Sequence, residues 1–245
     1  MKEPITFSIV TAVFNAAGVI NRTIESIRKQ TYRGFDWIVV DGASKDDTLL
    51  RVKGAVGLSC QLVSEPDKGI ADGWNKGIRL AKGSYVLILN AGDTYDPIFL
   101  EMLAKYCDGT RVVCSHARRV SEQGKDAGVF LAQPWKLDRA MHVPHNWCAV
   151  PRHIYEEMGL YRNLALAMDF DWFHRYYKKF GIDGFVVVDA PLGTYFLGGT
   201  SDRNYIRSFA ANERILVEHG GSRVRAGLYR YYYTMKHLMV RRVFH

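Results

Sequence analysis

Four aspartates stand at or just beyond the ends of apolar runs, in surroundings suited to a phosphorylated ligand. Asp41 ends F-D-W-I-V-V-D, Asp67 follows Q-L-V-S-E-P, and Asp93 follows Y-V-L-I-L through N-A-G. Asp169 opens the aromatic stretch D-F-D-W-F-H-R-Y-Y. A carboxylate held on a turn that Gly92 makes possible can face a metal ion carrying phosphate oxygens. Acceptors and backbone groups gathered at three successive strand ends form a crevice in which a nucleoside can hydrogen-bond. The chain has no G-x-G-x-x-G after its first apolar run and no G-x-x-x-x-G-K-[ST], which disfavours a dinucleotide fold and a P-loop. Asp169 and Asp171 lie roughly 200° apart around a helix, so both cannot address one site.

The elements that must position these groups alternate between strand and helix. Strands are expected at 7–13, 35–40, 61–64 and 85–89, the last apolar throughout as in a strand covered on both faces. Between them, 17–30 places Ile20, Ile24 and Ile27 on one helical face. Asp46 or Asp47 can cap a helix carrying Leu49, Leu50 and Val52, and Ile70, Trp74 and Ile78 mark a helix stopped by Gly83. This order predicts a mainly parallel sheet with right-handed crossovers. Pro97 opens a further helix, 111–115 reads as a strand, and E-Q-G-K-D-A-G reads as a hairpin tip. Residues 135–143 are irregular, either a gating loop or a surface connector. A strand and helix follow across 145–158. In the helix of 167–180, Phe170, Phe173, Tyr177 and Phe180 are expected to face the core. After a strand at 185–188, T-Y-F-L-G-G-T-S-D-R is either a lid over the ligand or an exposed turn.

Taken in chain order, T-A-V-F-N, V-V-D-G-A-S-K-D, D-K-G-I-A-D-G-W-N-K-G, N-A-G-D and A-M-D-F-D resemble the motifs of family 2 glycosyltransferases of the GT-A fold. The resemblance runs from about residue 5 to residue 201, towards enzymes of bacterial surface-polysaccharide and lipopolysaccharide synthesis. It implies an α/β architecture, a Rossmann-like, mainly parallel mixed sheet flanked by helices. It also implies inverting transfer of a sugar from a nucleoside-diphosphate donor, most often a UDP-sugar, to a hydroxyl of a glycan or lipid-linked acceptor. Carried over position by position, the donor nucleotide would meet Thr11, Ala12, Asn15, Asp41, Asp67, Lys68, Gly69, Asn75, Ala91 and Gly92. Asp93 would hold a divalent ion, Mn²⁺ or Mg²⁺, and Asp169 would be the catalytic base, with Asp171 an alternate base or a structural partner of Arg175. His145 and Asn146 would lie on the acceptor side, and Arg203 could pair with the diphosphate. Two departures stand out: N-A-G-D lacks the first carboxylate of the commoner D-x-D, and Met168 stands where an acid usually precedes the base. Nucleotidyl transfer, or a binding module without catalysis, are the alternatives.

Composition bounds the rest. A chain of 245 residues, 48% hydrophobic, can bury one substantial core. No apolar run reaches the roughly 18–20 residues needed to cross a bilayer, and the start lacks the pattern of a signal peptide. Cys60, Cys107, Cys114 and Cys148 form no C-x-x-C and read as buried thiols of a reducing compartment, which points to the cytoplasm. The net charge of +8 is concentrated after residue 202, where nine Lys or Arg face two Glu. The chain is therefore read as a transferase domain, 1–204, and a basic, aromatic helical segment, 205–245, broken at Gly220–Gly221. That segment could dock on the cytoplasmic face of a membrane, on the body, or on a second subunit of a homo-oligomer. Nucleic acid is disfavoured, because no recognisable module accompanies it.

Overall fold

The computed structural model describes residues 4–55, 57–58 and 60–244, without the side chains of residues 200, 201 and 240–244. Strands β1 (Phe7–Val13), β2 (Phe35–Asp41), β3 (Cys60–Ser64) and β4 (Tyr85–Ile88) alternate with helices α1 (Ala17–Arg28), α2 (Thr48–Lys53) and α3 (Ile70–Leu80). Next come β5 (Thr94–Tyr95), α4 (Phe99–Ala104), β6 (Val112–Val120), β7 (Asp126–Phe130), β8 (Cys148–Pro151), α5 (Arg152–Met158) and α6 (Met168–Phe180). The chain ends with β9 (Phe185–Phe196), α7 (Thr200–Arg203), α8 (Tyr205–Glu218) and α9 (Arg223–Phe244).

Among the described residues, nine strands join one sheet in the order β3-β2-β1-β4-β8-β6-β9-β5, with β7 paired to β6. The β3-β2-β1-β4 half is parallel, as strand–helix alternation requires, and β8 then enters antiparallel to β4 and β6. Side chains alternate between two cores. Phe7, Ile9, Trp37, Val39 and Leu87 pack under α1, α2 and α4, while Val10, Ile38, Val40, Val86 and Ile88 pack under α3, α5 and α6. Each such fully buried aliphatic side chain contributes about 1.5–3 kcal/mol, and this fixes the strand ends relative to the helices.

Two elements differ from the sequence reading. β9 runs on to Phe196, eight residues past the expected end, because it lies between β6 and β5 and takes ladder bonds from both. Thr194, Tyr195 and Phe196 are therefore strand, and the loop before α7 is confined to residues 197–199. In α6, Trp172 and Tyr176 are fully buried beside Phe170 and Phe173, whereas Tyr177 and Phe180 are only partly covered. This helix is enclosed by the 159–163 segment and α8, and its apolar face is wider than the periodicity shows.

Candidate active site

The carboxyl ends of β1, β2, β3 and β4 open on one side of the sheet, where four loops meet. Val13, Asp41 and Ser64 lie level in the ladder. The first two loops are tied together: the Asn15 N–H donates to Ser44 Oγ at 2.8 Å, and the Lys45 N–H donates to Asn15 Oδ1 at 2.9 Å. Asp47 takes the N-cap position of α2, but Asp46 makes the bonds, accepting from the Ala17 N–H and the Thr48 N–H at 3.0 Å each. Asn15, Ala43 and Ala167 adopt left-handed φ of 49°, 62° and 61°, and all three flank this crevice or the entry to α6. Strained backbone of this kind persists where the surroundings over-determine it, commonly at functional sites.

Asp41 is buried, accepting from its own Ser44 N–H at 3.1 and 3.2 Å and from Ser64 Oγ at 2.7 Å. Asp67 leans across Gly42, where a Cβ would sit 2.6 Å from its Oδ2, and takes the Gly69 N–H at 2.9 Å. Asp67 therefore lies over the backbone of the loop that follows Asp41. Lys68 is exposed, and Gly69, at φ +114°, turns the chain into α3. Three of the other residues have their side chains tied into the scaffold. Thr11 is fully buried and its hydroxyl accepts from Trp37 Nε1 at 3.0 Å. Ala12 packs against Gly73 of α3. The Asn75 amide pairs with both backbone groups of Tyr161, at 2.8 and 3.0 Å, and so anchors the 159–163 segment to α3.

The N-A-G-D turn is held from α1. The Gly92 N–H donates to Thr23 Oγ1 at 2.9 Å, and that hydroxyl donates to the Asp93 carbonyl at 2.9 Å. Gly92 needs its φ of +100°, Ala91 is half-buried, and Asn90 Oδ1 accepts from Trp74 Nε1 at 3.2 Å. The Asp93 carboxylate is 5% exposed and accepts from the Phe196 N–H at 3.0 Å and from Asn146 Nδ2. Burial pushes its pKa up to about 7 in spite of those donors. Beside it, Tyr195 donates its hydroxyl to Asp202 Oδ2 at 2.8 Å. Burial raises the pKa of that hydroxyl first, then the charge of Asp202, with smaller contributions from Asp93 and Asp169. Thr23 carries no motif, and Tyr195, Phe196 and Asp202 lie inside T-Y-F-L-G-G-T-S-D-R without being marked by it as site residues. Period-two alternation could have found Tyr195, but Pro191 and Gly193 mask it.

Asp169 sits in the first turn of α6, half-buried, with Oδ1 accepting from the Phe170 N–H at 2.8 Å. It has no ion pair among the described residues, and burial holds its pKa above the ordinary carboxylate value. Asp171 points away, fully buried, pairing with Arg162 at 2.6 Å, Arg175 at 3.1 Å and His219 at 3.2 Å. Of the two readings left open for Asp171, the pairing with Arg175 is the one present. His145 shares a 2.8 Å hydrogen bond with the Tyr161 hydroxyl and meets Trp74 edge-on at 4.8 Å. Burial depresses its pKa to about 3, so the ring is neutral. Arg203 is exposed, 3.4 Å from Glu122 of the β6–β7 hairpin.

Divalent ions bound with nucleotides take one or two protein carboxylates and complete their shell with phosphate oxygens and water. Asp93 fits as such a ligand: it is a buried carboxylate without an ion pair among the described residues. Beside it, Asn146 Oδ1 is buried with no hydrogen-bond partner. Among the described residues there is no cluster of three or more His, Cys, Asp or Glu suited to a metal.

Comparison with known proteins places this geometry. The model of glycosyl transferase family 2 matches residues 8–179, more than half of the chain. A PGL/p-HBAD biosynthesis glycosyltransferase of Mycobacterium bovis is 36% identical over 176 residues, covering 68% of this chain and 66% of the relative. An uncharacterised glycosyltransferase of Mycobacterium tuberculosis is 37% identical over 91 residues, so the match spans 37% of this chain and only 35% of that protein. Among solved structures, Staphylococcus aureus TarS with UDP-GlcNAc superposes with a TM-score of 0.68 at 15% identity, covering 92% of this chain and 70% of that one. The mannosyltransferase PcManGT of Pyrobaculum calidifontis, bound to GDP-Man and Mn²⁺, gives 0.65 at 18% identity, covering 99% and 87%. The fold is that of the GT-A glycosyltransferases.

Proposed function

The chain belongs to glycosyl transferase family 2, and from that premise we propose that it moves a sugar from a nucleoside-diphosphate donor, a UDP-sugar, to an acceptor hydroxyl with inversion. The observation that supports this reading is Asp93: a buried carboxylate on the turn just beyond β4, held by Asn146 and the Phe196 N–H and without an ion pair among the described residues. Asp41, at the end of β2, and Asp67, in the loop after β3, are the acceptors for the nucleoside. Asp169 is the base that takes the proton from the attacking hydroxyl. Its raised pKa makes it a stronger base than a solvated aspartate while leaving it ionised above that pKa. Asp93 would hold a Mn²⁺ or Mg²⁺ ion, which when bound neutralises charge on the diphosphate leaving group. The pairing of Asp93 with Asn146 and the Phe196 N–H fixes the orientation of that carboxylate.

The acceptor is a glycan or lipid-linked glycan of a surface polymer, offered on the cytoplasmic face of a membrane that the C-terminal segment contacts. Among the described residues no helix is long and apolar enough to cross a membrane, so this contact would be peripheral. The support is the basic, aromatic composition of α9.

The test is a thermal-shift screen of nucleotide sugars with and without Mn²⁺, followed by release of nucleoside diphosphate in the presence of EDTA or Mn²⁺. A binding donor raises the apparent stability, by about 2.7 kcal/mol at a hundred times its Kd. Stabilisation by a UDP-sugar and Mn²⁺-dependent UDP release are expected. Stabilisation by nucleoside triphosphates with release of pyrophosphate would instead show nucleotidyl transfer.

A further inference from the structure

Two clefts border the C-terminal helix pair, and charge balance separates them. One, of about 620 Å³ between α8 and α9, mixes Glu213 and Glu218 with Arg214, Arg223 and Arg230, and Arg230 Nε pairs with Glu213 at 3.1 Å. The other, of about 370 Å³, lies where α9 meets the 133–142 loop, and Lys136, Arg139 and Lys236 line it. Its nearby acid is Asp138, half-exposed and 3.4 Å from Arg139 Nε. Lys136 Nζ donates to Gln133 Oε1 at 2.8 Å, and neither lysine has an ion pair among the described residues. His142 and the Tyr233 hydroxyl share a 2.7 Å hydrogen bond within the cleft. Burial, then Lys136, Lys236 and Arg139, hold the His142 pKa down to about 4. The imidazole therefore adds no charge at neutral pH, and the charge of the cleft comes from Lys136, Arg139 and Lys236 in its lining, with Asp138 beside Arg139.

The cleft is continuous with an uncovered apolar stripe. Val224, Leu228, Tyr231, Tyr232, Leu238 and Met239 are all exposed, between 39% and 73%, and recur at the spacing of one helix face. Leu228 and Tyr232 belong to both the stripe and the cleft. A bilayer surface offers both at once, acyl chains for the stripe and phosphates for the cations.

We propose that α9 lies in the interface of a bilayer and that the cleft formed with the 133–142 loop holds the phosphate of an anionic phospholipid headgroup. The proposal rests on the reading that the C-terminal segment meets a membrane, and not on the transfer chemistry. The 133–142 loop runs directly into the 145–147 turn, whose Asn146 holds Asp93, so the docked lipid and the active site share one stretch of chain.

The test is co-sedimentation of the full chain with vesicles of phosphatidylcholine, alone or with phosphatidylglycerol. The wild type is compared with the triple variant Lys136→Gln, Arg139→Gln, Lys236→Gln and with Leu228→Gln. Unchanged thermal unfolding shows that the variants fold. The wild type should favour the anionic vesicles, and removing three surface cations should lower partitioning on the order of 100-fold. Leu228→Gln should weaken binding to both compositions. Equal partitioning of the triple variant and the wild type overturns the cleft as the headgroup site. Protection by inorganic phosphate without vesicle binding overturns the bilayer as its source. A stable dimer in sedimentation velocity that fails to bind vesicles assigns the stripe to a second copy, and release of nucleoside diphosphate by the same preparation keeps that failure apart from failure of the transferase reading.

Discussion

Thr23→Val tests whether the N-A-G-D turn depends on a single hydroxyl of α1. Thr23 is fully buried, and valine matches its shape, so the change opens no cavity. The hydroxyl takes the Gly92 N–H and donates to the Asp93 carbonyl, both at 2.9 Å. Valine leaves one buried donor and one buried acceptor unpaired, each at about 1–3 kcal/mol, and the two together cost roughly 2–6 kcal/mol. For a chain of this size that lowers the melting temperature by roughly 4–24 °C. The turn should also loosen, releasing Asp93 from its orientation towards Asn146 and Phe196. Differential scanning calorimetry gives the first effect, and titration of UDP with Mn²⁺ gives the second as weaker binding. A melting temperature within about 1 °C of wild type, a small fraction of a kcal/mol, would refute the reasoning that this hydroxyl holds the turn.

Asn75→Leu removes the amide that pairs with both backbone groups of Tyr161, and should cost about 2–4 kcal/mol, read as a lower urea midpoint at unchanged slope. An unaltered midpoint would show that the 159–163 segment is held by other means. Asp93 gives a pH signature. Its folded pKa is raised from 3.8 to about 7, so the stabilisation from its bound proton is full below about pH 4 and is lost as pH rises towards 7. The stability of wild type relative to Asp93→Asn should therefore decline across that window without metal. A difference independent of pH would mean that the carboxylate is not desolvated in the folded protein.

Much of the architecture was legible because local and global signals agree. Ile20, Ile24 and Ile27 mark the buried face of α1, and the apolar runs at β1, β2 and β4 announce strands covered on both faces. The loops carrying Asp41, Asp67 and Asp93 could be placed because each follows a strand whose end is visible in the sequence. What could not be read arises from contacts between distant segments. Thr23 has the ordinary look of a helix residue, and nothing in A-G-V-I-N-R-T shows that its hydroxyl supports a turn formed much later in the chain. Phe196 contributes a backbone N–H, which leaves no trace in side-chain chemistry. Asn75 and Thr11 fit a nucleotide-binding pattern by type, yet their polar atoms meet Tyr161 and Trp37. Asn and Thr serve backbone anchoring and ligand contact equally well, and only packing decides between them.

The central claim is that the chain transfers a sugar with Asp169 as base, in a crevice it shares with Asp93. Asp169→Asn keeps the size of the side chain and the acceptor for the Phe170 N–H but removes the proton-accepting carboxylate. The direct measurement pairs donor titration with single-turnover transfer in this variant. Donor affinity within about threefold of wild type is expected, with transfer slowed by roughly 10²–10⁴-fold, the usual contribution of a positioned base. Transfer at a rate close to wild type, with the donor bound normally, would contradict the claim.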